Sequence, residues 1–182
     1  FRIQLGYPDA DLTWMKPLLG KWLDDSGHIL PEFYNALITM HGTILVFFVL
    51  TAGLSGTFSN LLIPLQIGAR DMASGFINML SYWFFFTSGV IMLISFFVPS
   101  GAASGGWTMY PPLSALPQAN VGSGLGTDLW ITSIAVFIVS VLLGGLNYVT
   151  TVINLRTKGM SMFRMPLTIW AFTFTAIVGL LS

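Results

Sequence analysis

The chain contains no cysteine in its 182 residues. That excludes disulfides, thiolate metal centres and CxxCH haem attachment. Any bound metal is left to histidine, methionine, carboxylate or backbone donors. Charge is scarce as well: seven Lys/Arg and seven Asp/Glu make up 8% of the chain and cancel to a net charge of zero. A typical soluble domain carries about 25% charged residues. This chain could not cover a soluble domain with polar surface, and with no basic patch it offers nothing to nucleic acid. Histidine occurs twice, at His28 and His41. The first residue is Phe1, and Phe1–Gly6 is too short for the regions of a signal peptide. The last residues, Pro166–Ser182, form an apolar run. Both ends are read as cuts in a longer polypeptide.

Apolar residues fill the space that charge leaves. They make up 54% of the chain, and mean hydropathy is +0.80. A spanning helix needs about 20 mostly apolar residues, and four windows qualify, from about Phe33 to Ile67, Phe76 to Val98, Leu129 to Leu155, and Met165 to Ser182. The length of the first implies tilt or extension beyond the hydrocarbon. Pro31, Gly68, Pro99, Asp128 and Pro166 punctuate them. The expected fold is an all-α membrane protein with about four spanning helices. Residues 1–32 form an outer segment and 33–182 the membrane portion. Arg70 follows the first span, and Arg156, Lys158 and Arg164 follow the third, so two short loops hold four of the seven basic residues. The positive-inside rule puts those loops in the cytoplasm or matrix. The N-terminal stretch and the Gly/Pro-rich loop Pro99–Asp128 then face outward.

Polar side chains at membrane depth need partners. His41 lies about two turns inside the outer end of the first span, roughly 12 Å deep at about 1.5 Å per residue. Two readings stand: a hydrogen bond to a neighbouring helix, or axial ligation of a haem or metal by neutral imidazole. A zinc site would need three or four ligands, and His28 lies in the outer segment. Phe47, Phe48, Gly53 and Gly56 follow on the same span, where glycine lets a macrocycle or another helix approach. Asp71 precedes the second span. It either caps that helix and pairs with Arg70, or opens a proton path. Asn60 and Asn78 lie near the same mouth. Ser133, Ser140, Asn147 and Asn154 repeat every seven residues along one face of the third span. That stripe either bonds a neighbouring helix or lines a water-filled conduit. The outer loop carries Trp107, Tyr110 and the rigid Pro111-Pro112, an ordered lid or a cap over a cofactor edge.

These residues carry a resemblance. The chain resembles subunit I of the haem-copper respiratory oxidases, of the cytochrome c oxidase type. The matching stretches are Arg2 with Leu5-Gly6 and Pro8; Tyr34-Asn35 followed by His41; Asn60 with Pro64; Ile67-Gly68-Ala69, Asp71-Met72 and Asn78; Gly106-Trp107-Thr108 with Tyr110-Pro111-Pro112-Leu113; and Asn147 with Thr150-Thr151, Ile153 and Asn154. They run through nearly the whole chain and are specific in combination. The family's subunit has twelve spanning helices, and the resemblance makes this segment the end of helix I through helices II to V.

What the resemblance implies is concrete. His41 would be one axial ligand of the low-spin haem. Arg2 would bond the formyl group of haem A, and Trp107 and Tyr110 would lie near the haem propionates. Asp71 would open the D proton pathway, with Asn60, Asn78, Asn147 and Ser140 lining it. High-spin haem and copper would be held by later helices, so this segment alone would not be catalytic. The expected whole enzyme is a proton-pumping terminal oxidase that reduces O2 to water. It would sit in a bacterial plasma membrane or mitochondrial inner membrane, with subunits II and III and cytochrome c as partners. A quinol oxidase of the same superfamily and a non-haem membrane transporter are the alternatives. Two departures stand out. Ser140-Val141 replaces the two adjacent serines common in helix IV of the family. The loop Asp11–Asp25 is long, and is expected to contact another subunit.

Overall fold

The computed structural model describes residues 2–99, 101–116 and 124–181. Residues 117–123 of the predicted outer loop, and Ser182 of the predicted fourth span, lie outside the described residues. Four apolar helices dominate: α1 Pro31–Ile67, α2 Gly75–Ser95, α3 Leu125–Asn154 and α4 Leu167–Leu181. The first three, with 37, 21 and 30 residues, are long and apolar enough to cross a membrane, and α4 has 15 described residues. The third helix starts earlier than expected. Asp128 falls in its first turn rather than before it, where a carboxylate faces the positive end of the helix dipole.

The first helix is composite. It runs as α-helix over Pro31–Thr43, π-helix over Ile44–Gly56 and α-helix over Thr57–Ile67. A π-turn takes more residues than an α-turn, so the span is shorter than 37 α-helical residues would be. The wider turn is visible in the side chains. The Thr51 hydroxyl donates to Val46 O five residues back, at 2.8 Å. Ser55 then donates to Thr51 O, and Ser59 to Ser55 O. Such bonding spares each hydroxyl a separate partner and bends the helix that carries it.

The chain divides into two compact units, Phe1–Ile44 with Ser95–Asp128, and Leu45–Ile94 with Leu129–Ser182. In the first unit, the segment predicted as an extended loop is folded on itself. Leu12, Leu23 and Ile29 form a small core, with Phe33 packed against it. A bridge pairs Leu23 with Ile29. His28 ties the segment down through Nε2 to Pro8 O at 3.0 Å and Nδ1 to the Ser26 hydroxyl at 2.8 Å. Asp11 accepts the Thr13 N–H at 2.8 Å, and that bond holds its carboxyl below the usual carboxylate range.

In the second unit, α2 and α3 are joined by a ladder with a repeat of seven. Ser88 and Ser133 exchange hydroxyl-to-carbonyl bonds, each 2.8 Å. Ser140 donates to Ser81 O at 2.7 Å and Ser81 to Ser140 O at 3.1 Å. Asn147 clasps Ser74, accepting its N–H at 3.0 Å and donating to its carbonyl at 3.2 Å. Each step of seven along α2 meets a step of seven the other way along α3, so the helices run antiparallel. Lipid supplies no hydrophobic drive between helices, and small residues with hydroxyl bonds supply close packing instead. Below the ladder, Ile63, Ile67, Met72, Val152, Met165 and Ile169 form a buried cluster. Phe47, Phe48, Phe85 and Phe137 meet in tilted and edge-on pairs, with centroids 5.4–6.4 Å apart.

Candidate functional site

In the first unit, α1 is divided into two faces around His41. Ala36, Thr39, Met40 and Thr43 are buried. Tyr34 and Ile38, at 44% and 49% exposure, share the opposite face with His41. The spacing of four and three residues places these three side chains in one row. The His41 ring is exposed, and it makes no hydrogen bond among the described residues. Ligation by this ring is therefore compatible with the geometry, while a bond to a helix of this chain is absent.

The outer loop is clamped beside that row. Gly106 N–H donates to the Thr39 hydroxyl at 2.8 Å, and Thr39 donates in turn to Asn35 O at 2.8 Å. The Trp107 indole lies on the helix at Gly42, where an added Cβ would stand 3.0 Å from Trp107 Cδ1. A glycine next to His41 thus admits the tryptophan against the helix backbone. Tyr110 is 69% exposed on the same loop. Arg2, on the short helix Arg2–Gly6, is also exposed, and it has no ion pair among the described residues. The structure brings Trp107 to the turn that carries His41. It brings neither Arg2 nor Tyr110 into contact with the histidine.

The donor set suits haem better than a caged metal. No cluster of three or more His, Cys, Asp or Glu occurs among the described residues. A haem iron needs one imidazole per side, and the row Tyr34, Ile38 and His41 presents one imidazole beside exposed side chains. These residues would fit one ligand of such a haem.

The second unit holds the other candidates. Asp71 is exposed on the loop between α1 and α2, and its Oδ1 accepts the Met72 N–H at 2.7 Å. It does not cap α2. Ser74 does, with its hydroxyl accepting the Ile77 N–H at 3.2 Å. Nor is it paired with Arg70: no ion pair joins them among the described residues. The loop itself is held firmly. Gly68 takes the left-handed conformation, φ +73°, that ends α1, and a Cβ there would strike the Thr157 hydroxyl. Thr157 donates to Ile67 O at 2.8 Å, and the Thr151 hydroxyl accepts the Ala73 N–H at 2.9 Å. A free carboxylate thus stands on a rigid mount.

A cavity of about 620 Å³ lies within this unit, lined in part by Asn60, Asn78, Ser140 and Tyr148. Three of the four residues expected to line a conduit, Asn60, Asn78 and Ser140, therefore share one cavity. Asn60 donates from Nδ2 to Gly56 O at 2.7 Å, but its Oδ1 is buried without a partner. The Asn78 side chain makes no hydrogen bond among the described residues. Asn147 is placed differently: it is fully buried and its amide is engaged by Ser74. Gly53 and Gly56 line this same cavity.

Sequence reasoning passed over Ser74, Ser81, Ser88 and Tyr148, and gave Thr151 no role of its own. The serines had a signal: their spacing of seven in the second span mirrors the stripe in the third. Tyr148 had a fainter one, lying seven residues after Val141 on the same face of α3.

Four apolar helices, a histidine presented on one face and a cavity with amide and hydroxyl groups in its wall define a multi-span helical membrane protein. The comparisons with known proteins agree. The family described as Cytochrome C and Quinol oxidase polypeptide I matches residues 1–182. The alternative cytochrome c oxidase subunit 1 of Bradyrhizobium diazoefficiens is 44% identical over 171 residues, covering 94% of this chain and 29% of that protein. A putative cytochrome c oxidase subunit 1-beta of Streptomyces avermitilis is 44% identical over 149 residues, covering 82% and 26%. Cytochrome c oxidase subunit 1 of Synechocystis is 42% identical over 153 residues, covering 84% and 26%. The chain belongs to the cytochrome c and quinol oxidase polypeptide I family. It spans a quarter to three-tenths of the length of these relatives.

Proposed function

We propose that this chain is the low-spin-haem and proton-entry portion of the catalytic subunit of a proton-pumping terminal oxidase that reduces O2 to water. The observation that carries the reading is the His41 imidazole, unbonded on an exposed apolar row beside the clamped Trp107 loop. Haem bound there would supply reversible one-electron storage. His41 would hold that haem through its imidazole, carried on helix α1. Trp107 shields the neighbouring turn from water. Arg2 and Tyr110, both exposed, would supply a cation and a phenol for the polar edge and formyl group of haem A. High-spin haem and copper belong to residues outside this segment.

The proton side rests on Asp71 and the cavity. Asp71 exchanges protons with water on the cytoplasmic or matrix side, the side of the Arg70 and Arg156 loops. Asn60, Asn78 and Ser140 orient waters without carrying a charge that would trap the proton. Asn147 serves the path from its edge, by fixing the start of α2 next to Asp71. Cytochrome c is the electron donor we assign, after the names of the relatives, and subunits II and III are the expected neighbours.

Two variants of the full-length subunit in its assembled complex test the reading. His41→Ala should abolish the low-spin haem absorption band, and an unchanged band refutes the ligand. Asp71→Asn should slow proton uptake at least about tenfold, the effect of about 1.4 kcal/mol on a barrier. Uptake at the wild-type rate refutes the proton path.

A further inference from the structure

The cavity contains one phenol that the proton path described above does not use. Tyr148 stands on α3 with its ring packed against the buried cluster of Ile63, Val152 and Ile169, while its side chain lines the cavity. The residue is thus divided as tyrosine commonly is, with an apolar body in the core and a polar tip at the cavity. The tip is turned toward Ser59 and Asn60 of α1. Glycines fence it: a Cβ on Gly56 would stand 4.0 Å from the hydroxyl, and one on Gly144 3.8 Å. Larger residues at either position would fill the space beside that oxygen.

The hydrogen-bond inventory around the hydroxyl is uneven. Ser59 gives its proton to Ser55 O and Gly56 O. Asn60 Nδ2 is committed to Gly56 O at 2.7 Å. Asn60 Oδ1, an acceptor, is buried with no partner. A buried acceptor left bare costs about 1–3 kcal/mol, so the site calls for a donor. The cavity volume of about 620 Å³ leaves room beside these groups for a water, which takes about 30 Å³. Further along the same face of α3, Val141 offers the cavity only methyl groups.

We propose that Tyr148 is a positioning residue of the proton path, its hydroxyl and Asn60 Oδ1 together holding a water in the cavity. The water donates to Asn60 Oδ1, and the Tyr148 hydroxyl fixes its orientation from the other side. A phenol both donates and accepts, so it orders the chain of waters without taking a charge. Two turns along α3 from Val141, it places a hydroxyl on a face where that residue has none. This inference rests on the cavity being part of the proton path.

The test uses the assembled full-length oxidase. Tyr148→Phe removes only the hydroxyl, and should slow proton uptake about fivefold, the worth of one lost hydrogen bond. The low-spin haem spectrum should not change. A water O–H band in the redox-difference infrared spectrum should be lost, which a merely structural effect would not produce. Asn60→Leu should lose the same band, and the double variant should be no slower than the slower single, because both hold one water. Wild-type uptake and an intact band in Tyr148→Phe, with Asp71→Asn still slow, overturn the role of Tyr148 and leave the path standing. Additive slowing in the double variant also overturns it. Unchanged uptake in Asp71→Asn overturns the path itself, and the role of Tyr148 with it.

Discussion

The loop that carries Asp71 is held by side chains of α3, and this makes its stability calculable. Two consecutive backbone N–H groups depend on that helix. Ala73 N–H donates to the Thr151 hydroxyl at 2.9 Å, and Ser74 N–H donates to Asn147 Oδ1 at 3.0 Å. Thr151→Val and Asn147→Leu remove these acceptors with little change of volume. The carbonyl of Ser74 keeps a second partner, Asn78 N–H at 3.1 Å, so the loss falls on the N–H groups. A buried donor left bare costs about 1–3 kcal/mol. Ala73 is exposed and water can take its N–H, whereas Ser74 is half-buried. Thr151→Val therefore belongs at the low end of the range and Asn147→Leu at the high end. As opening equilibria these energies correspond to about 5-fold and about 150-fold. Hydrogen exchange of residues 69–77 in the assembled complex reads them directly. Thr150→Val is the control, because the Thr150 hydroxyl bonds only its own helix, at Leu146 O (2.9 Å) and Asn147 O (3.0 Å). Unchanged exchange in Asn147→Leu, or equal opening in Thr150→Val, would refute the reasoning.

Other consequences follow from the same geometry. Gly126→Ala would drive a methyl into the Gly101 carbonyl, whose carbon stands 2.9 Å from the added Cβ. Both atoms are backbone, so the variant should lower the apparent Tm of the complex by the effect of about 1–3 kcal/mol or more; a wild-type Tm would show that the approach relaxes. Ser88→Ala and Ser133→Ala should each destabilise by about 0.6 kcal/mol, below about 1.7 kcal/mol, as for interhelical hydrogen bonds in other membrane bundles. No loss in either variant in an unfolding assay would remove the ladder as a stabilising device. Asp11 gives a pH effect of known sign. Its folded-state pKa lies below the ordinary 3.8 because Thr13 N–H bonds the charged form. Its contribution is present above about pH 4 and is lost as pH falls through the folded-state value. Proteolysis of residues 11–30 should accelerate there, and Asp11→Asn should flatten that dependence; an unchanged profile in Asp11→Asn would assign it elsewhere.

Much of the protein was legible without coordinates. Fourteen charges among 182 residues and four apolar windows dictate membrane helices, because lipid demands internal backbone hydrogen bonding and tolerates little charge. The combination of His41, Asp71 and the amide-rich stretches pointed to the family that the comparisons then showed. These are local properties: type, spacing and run length are all that such judgements need. The π-helical centre of α1 was not legible. Its apolar pattern suits either helix, and the hydroxyl bonds of Thr51, Ser55 and Ser59 exist only once the turn has formed.

The tertiary structure decided how each polar group is used. The stripe Ser133, Ser140 and Asn147 was equally a conduit or a helix contact until α2 supplied Ser88, Ser81 and Ser74 in antiparallel register. Asn147 then became a clasp on Ser74, while Ser140 both bonds Ser81 and reaches the cavity. Asp71 was read first as a helix cap paired with Arg70, with a proton-path mouth as the other reading, until Ser74 took the capping place. Tyr148 drew no notice in the sequence, since a tyrosine in an apolar span ordinarily packs. Only the packing of its ring beside Gly56 and Gly144 turned its hydroxyl toward the residue whose amide oxygen has no partner. Sequence determines which groups a helix carries; which of them are satisfied depends on what another helix, distant in sequence, places opposite.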